Sequence, residues 1–423
     1  MRTRSRGPRV VGGVRTAYHG IHRQPPSWDP DMTDVFLVSA MRTAIGTFGG
    51  ALRDVPPSDL GVATAKAAIA QAGVPVDAIG HAVYGQVLPS EPADAYLARV
   101  IAVKAGVPVE TPAFTVNRLC GSGLQAIVSA AQALALGDCE VALAGGAESM
   151  SRTPFHLPGH RWGRKLGDDT LVDALNEGLK DPFDKVLMGI TAENVAERHA
   201  IDRARQDALA LESHRRAARA IAEGRFEGQI VPVTVGRRGR ETVFRVDEHV
   251  RADVGADDLA GLRPVFKADG TVTAGNASGI NDGAASVVLA TGEAVRRHGL
   301  KPLARLVAYA HAGVEPLYMG MGPVPATRAA LARAGLTVED LDIVESNEAF
   351  AAQACAVADA LGFDPEKTNP NGSGISLGHP VGATGAIITV KLVHELHRTG
   401  GRYGLATMCI GGGQGIAAIF ERT

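Results

Sequence analysis

The chain has 423 residues, a hydrophobic content of 45% and a formal net charge of −2, from 43 basic and 45 acidic residues. This length and apolar content supply a large core and exceed what one ordinary domain holds. The balanced charge argues against nucleic acid or a membrane as partner. Four widely spaced cysteines are too sparse for a disulfide framework, and they indicate a reduced, cytoplasmic protein.

The first 31 residues differ from the rest of the chain. Six arginines precede residue 24, and the first acidic residue is Asp29. An organellar transit peptide is arginine-rich and poor in acids in this way. The alternative is a translated extension without a folded role, and the excess of arginine over lysine along the whole chain favours it. We therefore expect residues 1–31 to be disordered and dispensable, and folding to begin at Met32.

Short runs rich in β-branched residues alternate with alanine-rich helical patterns. The predicted strands are Val35–Ser39, Ala82–Val87, Phe114–Asn117, Val141–Gly145, Ala285–Ala290, Ala304–Ala308, Asp342–Glu345 and Leu405–Cys409. The predicted helices include Ser58–Ala72, Gly123–Ala135, Ala326–Ala334, Glu348–Leu361 and Ala383–Arg398. Such alternation is typical of α/β layers, so we expect an α/β fold whose strands are mostly parallel and buried.

An internal repeat relates the two ends of the chain. Ala65–Ile79 matches Thr327–Leu341 without a gap, and both predicted helices end at a glycine, the expected C-cap. Further along each copy, a glycine-rich turn leads into an uncharged helix, and these turns carry Cys120 and His379. Two alanine-rich helices can also match by chance, but the shared downstream order favours duplication. Duplicated halves would bring the two turns together near a pseudo-two-fold axis.

The segment between the repeats has another character. Residues 151–280 hold charge-rich loops and a polar helix around Arg203–Ala222. We interpret them as an insertion that covers a ligand. The predicted organisation is a first half at 32–150, completed by about 281–300, the insertion at 151–280, and a second half at 301–423.

Four motifs lie at predicted strand ends or helix starts: NRLCGSG (Asn117–Gly123), SNEAFA (Ser346–Ala351), GHPVGATG (Gly378–Gly385) and CIGGGQG (Cys409–Gly415). A cysteine at a helix start is favoured as a thiolate by the partial positive charge there, although a buried inert cysteine is the commoner case. A single histidine is more often structural, and an asparagine after a strand is often a turn residue. Each motif is weak alone, and neither a dinucleotide fingerprint nor a Walker loop is present.

Together these motifs, with TAGNASG (Thr273–Gly279), resemble the thiolase family. The likeness runs in order from Met32 to Thr423 and is closest to the broad-range bacterial β-ketothiolases associated with polyhydroxyalkanoate synthesis. It implies duplicated α/β halves in α-β-α-β-α layers with an inserted loop domain. It also implies an acyltransferase that forms or cleaves 3-ketoacyl-CoA by reversible Claisen condensation. A degradative 3-ketoacyl-CoA thiolase of fatty-acid oxidation and a non-catalytic lipid carrier are the alternatives within the fold.

The resemblance assigns the catalytic roles. Cys120 is the nucleophile that becomes acylated, His379 accepts its proton, and Cys409 is the acid and base at the acetyl α-carbon. Two sulfurs are needed because one carries the thioester while the other handles a poor carbon acid. Asn347 is expected to hold a water that forms one oxyanion hole with His379, and the N–H groups of Cys120 and Gly411 form the other. A ketoacyl-carrier-protein synthase shares the fold, but the second sulfur argues against it.

The same resemblance implies a binding site for coenzyme A, which is a substrate here, so no cofactor or metal is expected. The expected partners are acetyl-CoA, acyl-CoA and CoA, and the expected assembly is a homotetramer. The residues expected to bind CoA or to wall the acyl pocket are Arg251, Ala274, Ser278, Met188, Leu187, Phe266, Ala349 and Phe350. Short-chain biosynthetic members often carry His in place of Leu187. This leucine either lines the acyl pocket and admits longer chains, or packs beneath the insertion without touching substrate.

Overall fold

A computed structural model describes residues 34–237 and 239–423, so the expectation for residues 1–31 lies outside the described residues. The strands are β1 Val35–Thr43, β2 Gly46–Thr47, β3 His81–Gly85, β4 Ala113–Val116, β5 Val141–Ser149, β6 Phe155–His156, β7 Val172–Asp173, β8 Ile230–Val231, β9 Val233–Val235, β10 Thr242–Phe244, β11 Asn281–Thr291, β12 Ala304–Gly313, β13 Ile343–Ser346, β14 Tyr403–Ile410 and β15 Gln414–Arg422. The helices are α1 Pro57–Ala72, α2 Leu97–Ala105, α3 Ser122–Ala135, α4 Ala174–Gly178, α5 Met188–Arg198, α6 Arg203–Ala222, α7 Ala256–Ala260, α8 Gly292–His298, α9 Pro323–Ala334, α10 Ala351–Leu361, α11 Gly374–Leu377 and α12 Val381–Thr399. None of the helices in this described part is long and apolar enough to cross a membrane.

The main sheet consists of two similar halves. One half has the strand order β4-β3-β5-β11-β1 and the other β13-β14-β15-β12, and a short pairing of β1 with β12 joins them. In both halves the last two strand pairs before the junction are antiparallel. A bridge from Val344 to Thr368 in the second half stands where β4 lies in the first. The order of strands and their directions therefore repeat, which confirms the predicted duplication.

The two repeat helices occupy equivalent environments. Helix α1 packs on β1 and β11, and α9 packs on β12 and β15. Both end at a glycine in the left-handed conformation, with φ of 67° at Gly73 and 66° at Gly335. That conformation is costly for residues with a Cβ, which explains the predicted glycine C-caps.

Helices α3 and α12 form the central layer of the molecule. They contact each other, α3 packs against β3 and β5, and α12 packs against β5, β11, β13 and β14. The two helices approach closely, because a Cβ at Gly123 would lie 2.7 Å from the backbone nitrogen of Ala386. With α1 and α2 outside one half-sheet, and α9 and α10 outside the other, the layers follow the predicted α-β-α-β-α order.

The prediction of mostly parallel strands is wrong. Parallel pairing is confined to β3–β4, β3–β5, β13–β14 and the short β1–β8 contact in the described sheet. The long central strands pair antiparallel, and a turn through Gly412 and Gly413 connects β14 directly to β15. The strands are nevertheless buried on both faces, because helices cover both sides, so their apolar sequence resembles that of parallel strands. The sequence analysis also missed α2 and β15.

The segment 151–280 holds β6 to β10 and α4 to α7. Its longest helix, α6, spans Arg203–Ala222 as predicted. The segment is tied to the main sheet at β8, which pairs with the end of β1. Next to this pairing, the buried guanidinium of Arg42 forms a salt bridge of 2.8 Å with Asp247. These contacts hold the segment 151–280 at the end of the central strand β1.

Candidate active site

A chamber of about 280 Å³ opens between the central helices and the segment 151–280. Its wall combines sulfur, imidazole and backbone groups with apolar side chains. The lining residues are Val87, Leu88, Leu119, Cys120, Glu177, Gly178, Leu179, Lys180, Pro182, Met188, Ser278, Met319, Ala349, Phe350, His379, Val381, Cys409, Gly411 and Gly412. The structure thus brings together all four motifs that the sequence analysis singled out, with Ala349 and Phe350 representing SNEAFA.

The loop before α3 holds Cys120 at the chamber. Cys120 lies one residue before Gly121, the N-cap of α3. Leu119 has a φ of 48°, a conformation that costs a residue with a side chain roughly 1–2 kcal/mol. The side chain of Ser122 compensates by accepting the N–H of Arg118 at 2.9 Å and donating to the carbonyl of Leu119 at 2.6 Å. This strained and locked turn directs the thiol into the chamber.

The surroundings of Cys120 oppose ionisation of the free thiol. Burial raises the pKa of the Cys120 thiol above its ordinary value, and the charge of Glu148 adds to this effect. The N–H groups of Gly411 and of Cys120 itself act on the sulfur in the opposite direction. Desolvation thus opposes the thiolate that a helix start favours. Cys120 needs a base to remove its proton.

His379 is placed to be that base. Like Cys120, it lies one residue before an N-cap, here Pro380 of α12. Its Nδ1 lies 2.7 Å from the Thr384 hydroxyl, which donates its own proton to the carbonyl of Pro380 at 2.9 Å. The hydroxyl therefore accepts from Nδ1–H, and Nε2 carries the free lone pair. Burial lowers the pKa of His379 to about 4, so the imidazole is neutral at physiological pH.

Cys409 and Gly411 come from the end of β14 and the turn after it. Cys409 is fully buried among the apolar residues Met319, Ala349 and Phe350. Burial and the nearby Cys120 raise the pKa of the Cys409 thiol far above its ordinary value. The resting Cys409 thiol is therefore protonated, so it has a proton to transfer to carbon. The N–H of Gly411 acts on the sulfur of Cys120 and lowers its pKa, and its role as an oxyanion-hole donor stays a prediction.

Asn347 lies behind the chamber and not on its wall. Its backbone N–H donates to the carbonyl of Thr407 at 3.0 Å, which ties it to β14. Its Oδ1 and Nδ2 are buried and make no hydrogen bond to any residue that the structure describes, and the same holds for Nε2 of His379. Buried polar groups of this kind require a partner. This arrangement is compatible with the expected water-mediated role.

Of the eight residues expected to bind CoA or to wall the acyl pocket, four line the chamber and four do not. Met188, Ser278, Ala349 and Phe350 line the chamber. Phe266 lies one layer further out, with its ring edge-on to Phe350 at 6.2 Å between centroids. The remaining three, Arg251, Ala274 and Leu187, are not part of the chamber wall. Arg251 and Ala274 are exposed, and their role in binding the outer part of CoA stays a prediction.

Leu187 is the N-cap residue of α5 and is half-buried. It forms a β-bridge with Lys180, and Lys180 rather than Leu187 reaches the chamber wall. Leu187 is therefore not part of the chamber wall, and its influence on the acyl chain stays a prediction. The apolar residues that do line the chamber beside Cys120 are Leu88, Leu179 and Val381.

Sequence reasoning missed two polar residues of the site, Thr384 and Glu148. Thr384 is part of the GHPVGATG motif, and its spacing of five residues after His379, into the first turn of a helix, was the available signal. Glu148 follows two glycines at the end of a buried strand, in GGAESM. A charged residue at the end of a fully apolar strand is rarely accidental, because its burial is costly unless it is paired.

Comparisons with known proteins agree with this geometry. The family described as thiolase, N-terminal domain, matches residues 35–293, and thiolase, C-terminal domain, matches residues 300–422. The chain is 63% identical over 390 residues to beta-ketothiolase BktB of Cupriavidus necator, covering 92% of this chain and 99% of the relative. It is 52% identical to an acetyl-CoA acetyltransferase of Chromobacterium violaceum, with coverage of 92% and 100%.

Solved structures give the same result. The structure of human mitochondrial 3-ketoacyl-CoA thiolase in complex with CoA superposes with a TM-score of 0.90 at 46% identity. The match covers 92% of this chain and 98% of the human one. Thiolase family models match both halves of the chain, and a solved thiolase superposes on nearly all of the described residues, so the chain belongs to the thiolase family.

Proposed function

We propose that this thiolase exchanges acyl groups between CoA and 3-ketoacyl-CoA through an acyl-enzyme on Cys120. One observation carries the proposal: Cys120, Cys409 and the neutral imidazole of His379 line a single chamber, with the N–H of Gly411 against the Cys120 sulfur. Thiolytic cleavage of acetoacetyl-CoA by the purified protein tests it, and an inactive preparation with intact fold would contradict it.

In the cleavage direction, His379 Nε2 takes the proton of Cys120 and the sulfur attacks the 3-keto carbon. The N–H groups of Cys120 and Gly411 receive the oxyanion that forms. The bond between C2 and C3 then breaks, which leaves the acyl group on Cys120 and an enolate of acetyl-CoA. Cys409 protonates this enolate at carbon, so acetyl-CoA leaves as the first product.

In the second half of the reaction, the thiol of CoA replaces Cys120 on the acyl group. The proton of that thiol and the proton held by His379 restore the thiols of Cys409 and Cys120. Condensation is the same sequence in reverse, with Cys409 as the base at the acetyl α-carbon. Every step uses thiols, an imidazole and backbone N–H groups, so the proposed reaction requires neither a metal ion nor a redox cofactor.

The side chain of Thr384 is expected to control which nitrogen of His379 is basic. Thr384→Val removes the acceptor of Nδ1–H, so part of the neutral imidazole will carry its proton on Nε2 and cannot accept one from Cys120. We expect kcat for thiolysis to fall roughly tenfold to hundredfold. Thr384→Ser keeps the hydroxyl and is the matched control, with activity near that of the unmodified enzyme. Equal activity of the Val and Ser variants would refute this role.

The chamber has two apolar sides, one for each sulfur. Cys120 packs against Leu88, Val381 and Leu179, whereas Cys409 packs against Met319 and its neighbours on the Ser278 side. We assign the first side to the acyl chain, because that chain is attached to Cys120. The likeness to BktB supports a range that extends beyond acetoacetyl-CoA to the five-carbon 3-ketovaleryl-CoA. Each methylene buried there contributes about 0.8 kcal/mol, or roughly a fourfold preference.

Leu179→Phe tests this assignment by adding bulk on the Cys120 side. We expect kcat/KM to fall more for 3-ketovaleryl-CoA than for acetoacetyl-CoA, since only the longer chain needs the lost space. Leu187→His is the control, because Leu187 lies off the chamber wall, and it should leave the ratio of the two substrates unchanged. A ratio that moves with Leu187→His, and not with Leu179→Phe, would restore Leu187 as a wall of the acyl pocket.

For CoA itself, we propose entry along the Ser278 side. Met188, Ser278 and Phe350 would contact the pantetheine arm, with Ala274 and Phe266 further out and the exposed Arg251 near the adenine and phosphates. The CoA complex of the human relative supports this ligand class. Each of the four cysteines, all within the described residues, is a free thiol, which supports a cytoplasmic location.

We further propose that the enzyme is a homotetramer. The segment from Phe155 to Asp173 exposes large apolar side chains to solvent, with Trp162 at 89% and Leu166 at 91% exposure. Such a cluster is typical of an association surface. Light scattering after size-exclusion chromatography should give a tetramer for the unmodified chain. The double variant Trp162→Ser and Leu166→Ser should give a smaller assembly, and a monomeric unmodified chain would contradict the proposal.

A further inference from the structure

Glu148 is a fully buried carboxylate at the end of β5, one residue before the strand's last residue. It accepts backbone N–H groups from Val87 at 2.9 Å, Leu88 at 3.2 Å and Gly382 at 2.9 Å. All three donors are backbone groups and none is a cation. A carboxylate with three N–H donors is well satisfied as an anion, whereas a protonated acid would need an acceptor for its own proton.

The three donors belong to two segments that are far apart in sequence and that both contribute to the chamber wall. Val87 and Leu88 line the wall on the Cys120 side. Gly382 lies in the first turn of α12, three residues after His379. The contact is close, because a Cβ at Gly382 would lie 2.5 Å from the Glu148 oxygen. One side chain thus joins the wall beside the nucleophile to the helix that positions the base.

The charge of Glu148 also acts on Cys120. The other titratable groups around Cys120 are His379 before α12, Cys409 on β14 and the Glu177–Lys180 ion pair on the insertion. His379 is neutral and the ion pair is internally balanced. Burial raises the pKa of Glu148 to about 8, its backbone N–H donors oppose this, and the nearby Asp94 adds to it. Glu148 is therefore ionised at the still higher pH at which the buried Cys120 thiol titrates.

We propose that Glu148 is a positioning residue that fixes His379 relative to the acyl-chain wall, and that its charge opposes ionisation of Cys120 at the alkaline pH at which both groups titrate. The proposal rests on the role of Cys120 as nucleophile. It explains why an acid ends a strand that is otherwise apolar. It also gives this site a function that needs no contact between Glu148 and the substrate.

Two substitutions separate the charge from the anchoring. Glu148→Gln keeps the shape and removes the charge. Its amide NH₂ group cannot accept a hydrogen bond, so at least one of the three backbone N–H groups loses its acceptor. Glu148→Asp keeps the charge but is too short to reach all three donors. Asp282→Asn is the matched control, because Asp282 is a buried acid on the neighbouring strand β11. Its Oδ2 accepts no hydrogen bond from the described residues, so replacing this oxygen with an amide nitrogen removes none.

The readouts are the pH dependence of Cys120 alkylation by iodoacetamide, followed on its peptide by mass spectrometry, and the kinetics of acetoacetyl-CoA thiolysis. We expect the alkylation midpoint to fall by about one pH unit in Glu148→Gln and to stay unchanged in Glu148→Asp. Both variants should lose about tenfold in kcat with KM changed less than twofold, since the base is misplaced while the binding surface remains. Asp282→Asn should leave both readouts unchanged.

An unshifted midpoint in Glu148→Gln overturns the charge role, and a kcat within twofold of the unmodified enzyme in both variants overturns the positioning role. Equal midpoint shifts in Glu148→Gln and Asp282→Asn also overturn the charge role, because they would reflect a general loosening. If Glu148→Gln does not fold, Glu148→Asp still decides the positioning role. The charge role is then tested by the Cys120 titration of the unmodified enzyme and of Asp282→Asn. A Cys120 midpoint at or below that of an ordinary thiol contradicts the charge role. Thiolysis by the unmodified enzyme tests the proposed function separately.

Discussion

Replacing Cys120 with serine is expected to reduce thiolysis of acetoacetyl-CoA on the order of a thousandfold or more, while the fold is retained. The side chain is half-buried in a locked turn, and oxygen for sulfur changes its volume little. The hydroxyl is a far weaker acid than a thiol, and burial lowers the pKa of His379, so His379 is a poor base for activating a serine. In the unmodified enzyme, exposure to acetyl-CoA should leave one acetyl group on the peptide that contains Cys120.

Two other cysteines provide the control for this experiment. Cys139 lies at the surface between α3 and β5, and Cys355 is buried within α10. Neither lines the chamber, so Cys139→Ser and Cys355→Ser should keep both turnover and acetylation. Acetylation found on Cys409, with Cys120 unmodified, would reverse the assignment of the two sulfurs.

Replacing Cys409 with alanine is expected to separate the two half-reactions. The variant still has Cys120, His379 and both backbone donors of the oxyanion hole, so exchange of an acetyl group between acetyl-CoA and labelled CoA should continue. Cleavage and formation of the carbon–carbon bond should fall roughly a hundredfold to ten-thousandfold, because no group remains to exchange a proton with the α-carbon. Exchange and thiolysis measured on one preparation give this ratio directly.

Hydrogen exchange at the acetyl methyl group provides an independent readout. The unmodified enzyme should exchange these protons with heavy water, and Cys409→Ala should not. Cys409→Ser tests the requirement for a thiol, since a serine has the shape but not the acidity. A Cys409→Ala variant that loses acetyl exchange and thiolysis to the same extent would place Cys409 in the acyl-transfer step instead.

The parts of the fold that sequence reasoning predicted are those determined by local chemistry. Gly73 and Gly335 end equivalent helices because the left-handed C-cap disfavours a Cβ, and such positions are visible in sequence. The polar helix expected around Arg203–Ala222 is present as α6. The four motifs singled out in the sequence all contribute residues to the chamber wall.

The errors arose where distant segments decide the outcome. Strand direction depends on which strands become neighbours, and β11 enters the first half-sheet only after the whole insertion. Glu148 was overlooked because its partners, Val87 and Gly382, lie 61 and 234 residues away along the chain.

The equivalent placement of Cys120 and His379, each one residue before the N-cap of a central helix, bears on the origin of the enzyme. Glu148 and Cys409 form a second such pair, each next to last in corresponding strands β5 and β14. A symmetric dimer of identical half-length chains would have to carry the same side chain at both members of each pair. Joining the halves in one polypeptide removes that constraint. The nucleophile Cys120 and the base His379 can then occupy equivalent positions, and so can the anchoring acid Glu148 and the acid–base Cys409. Asymmetric chemistry at a symmetric axis is thus a capacity that the fused chain has and its separate halves lack.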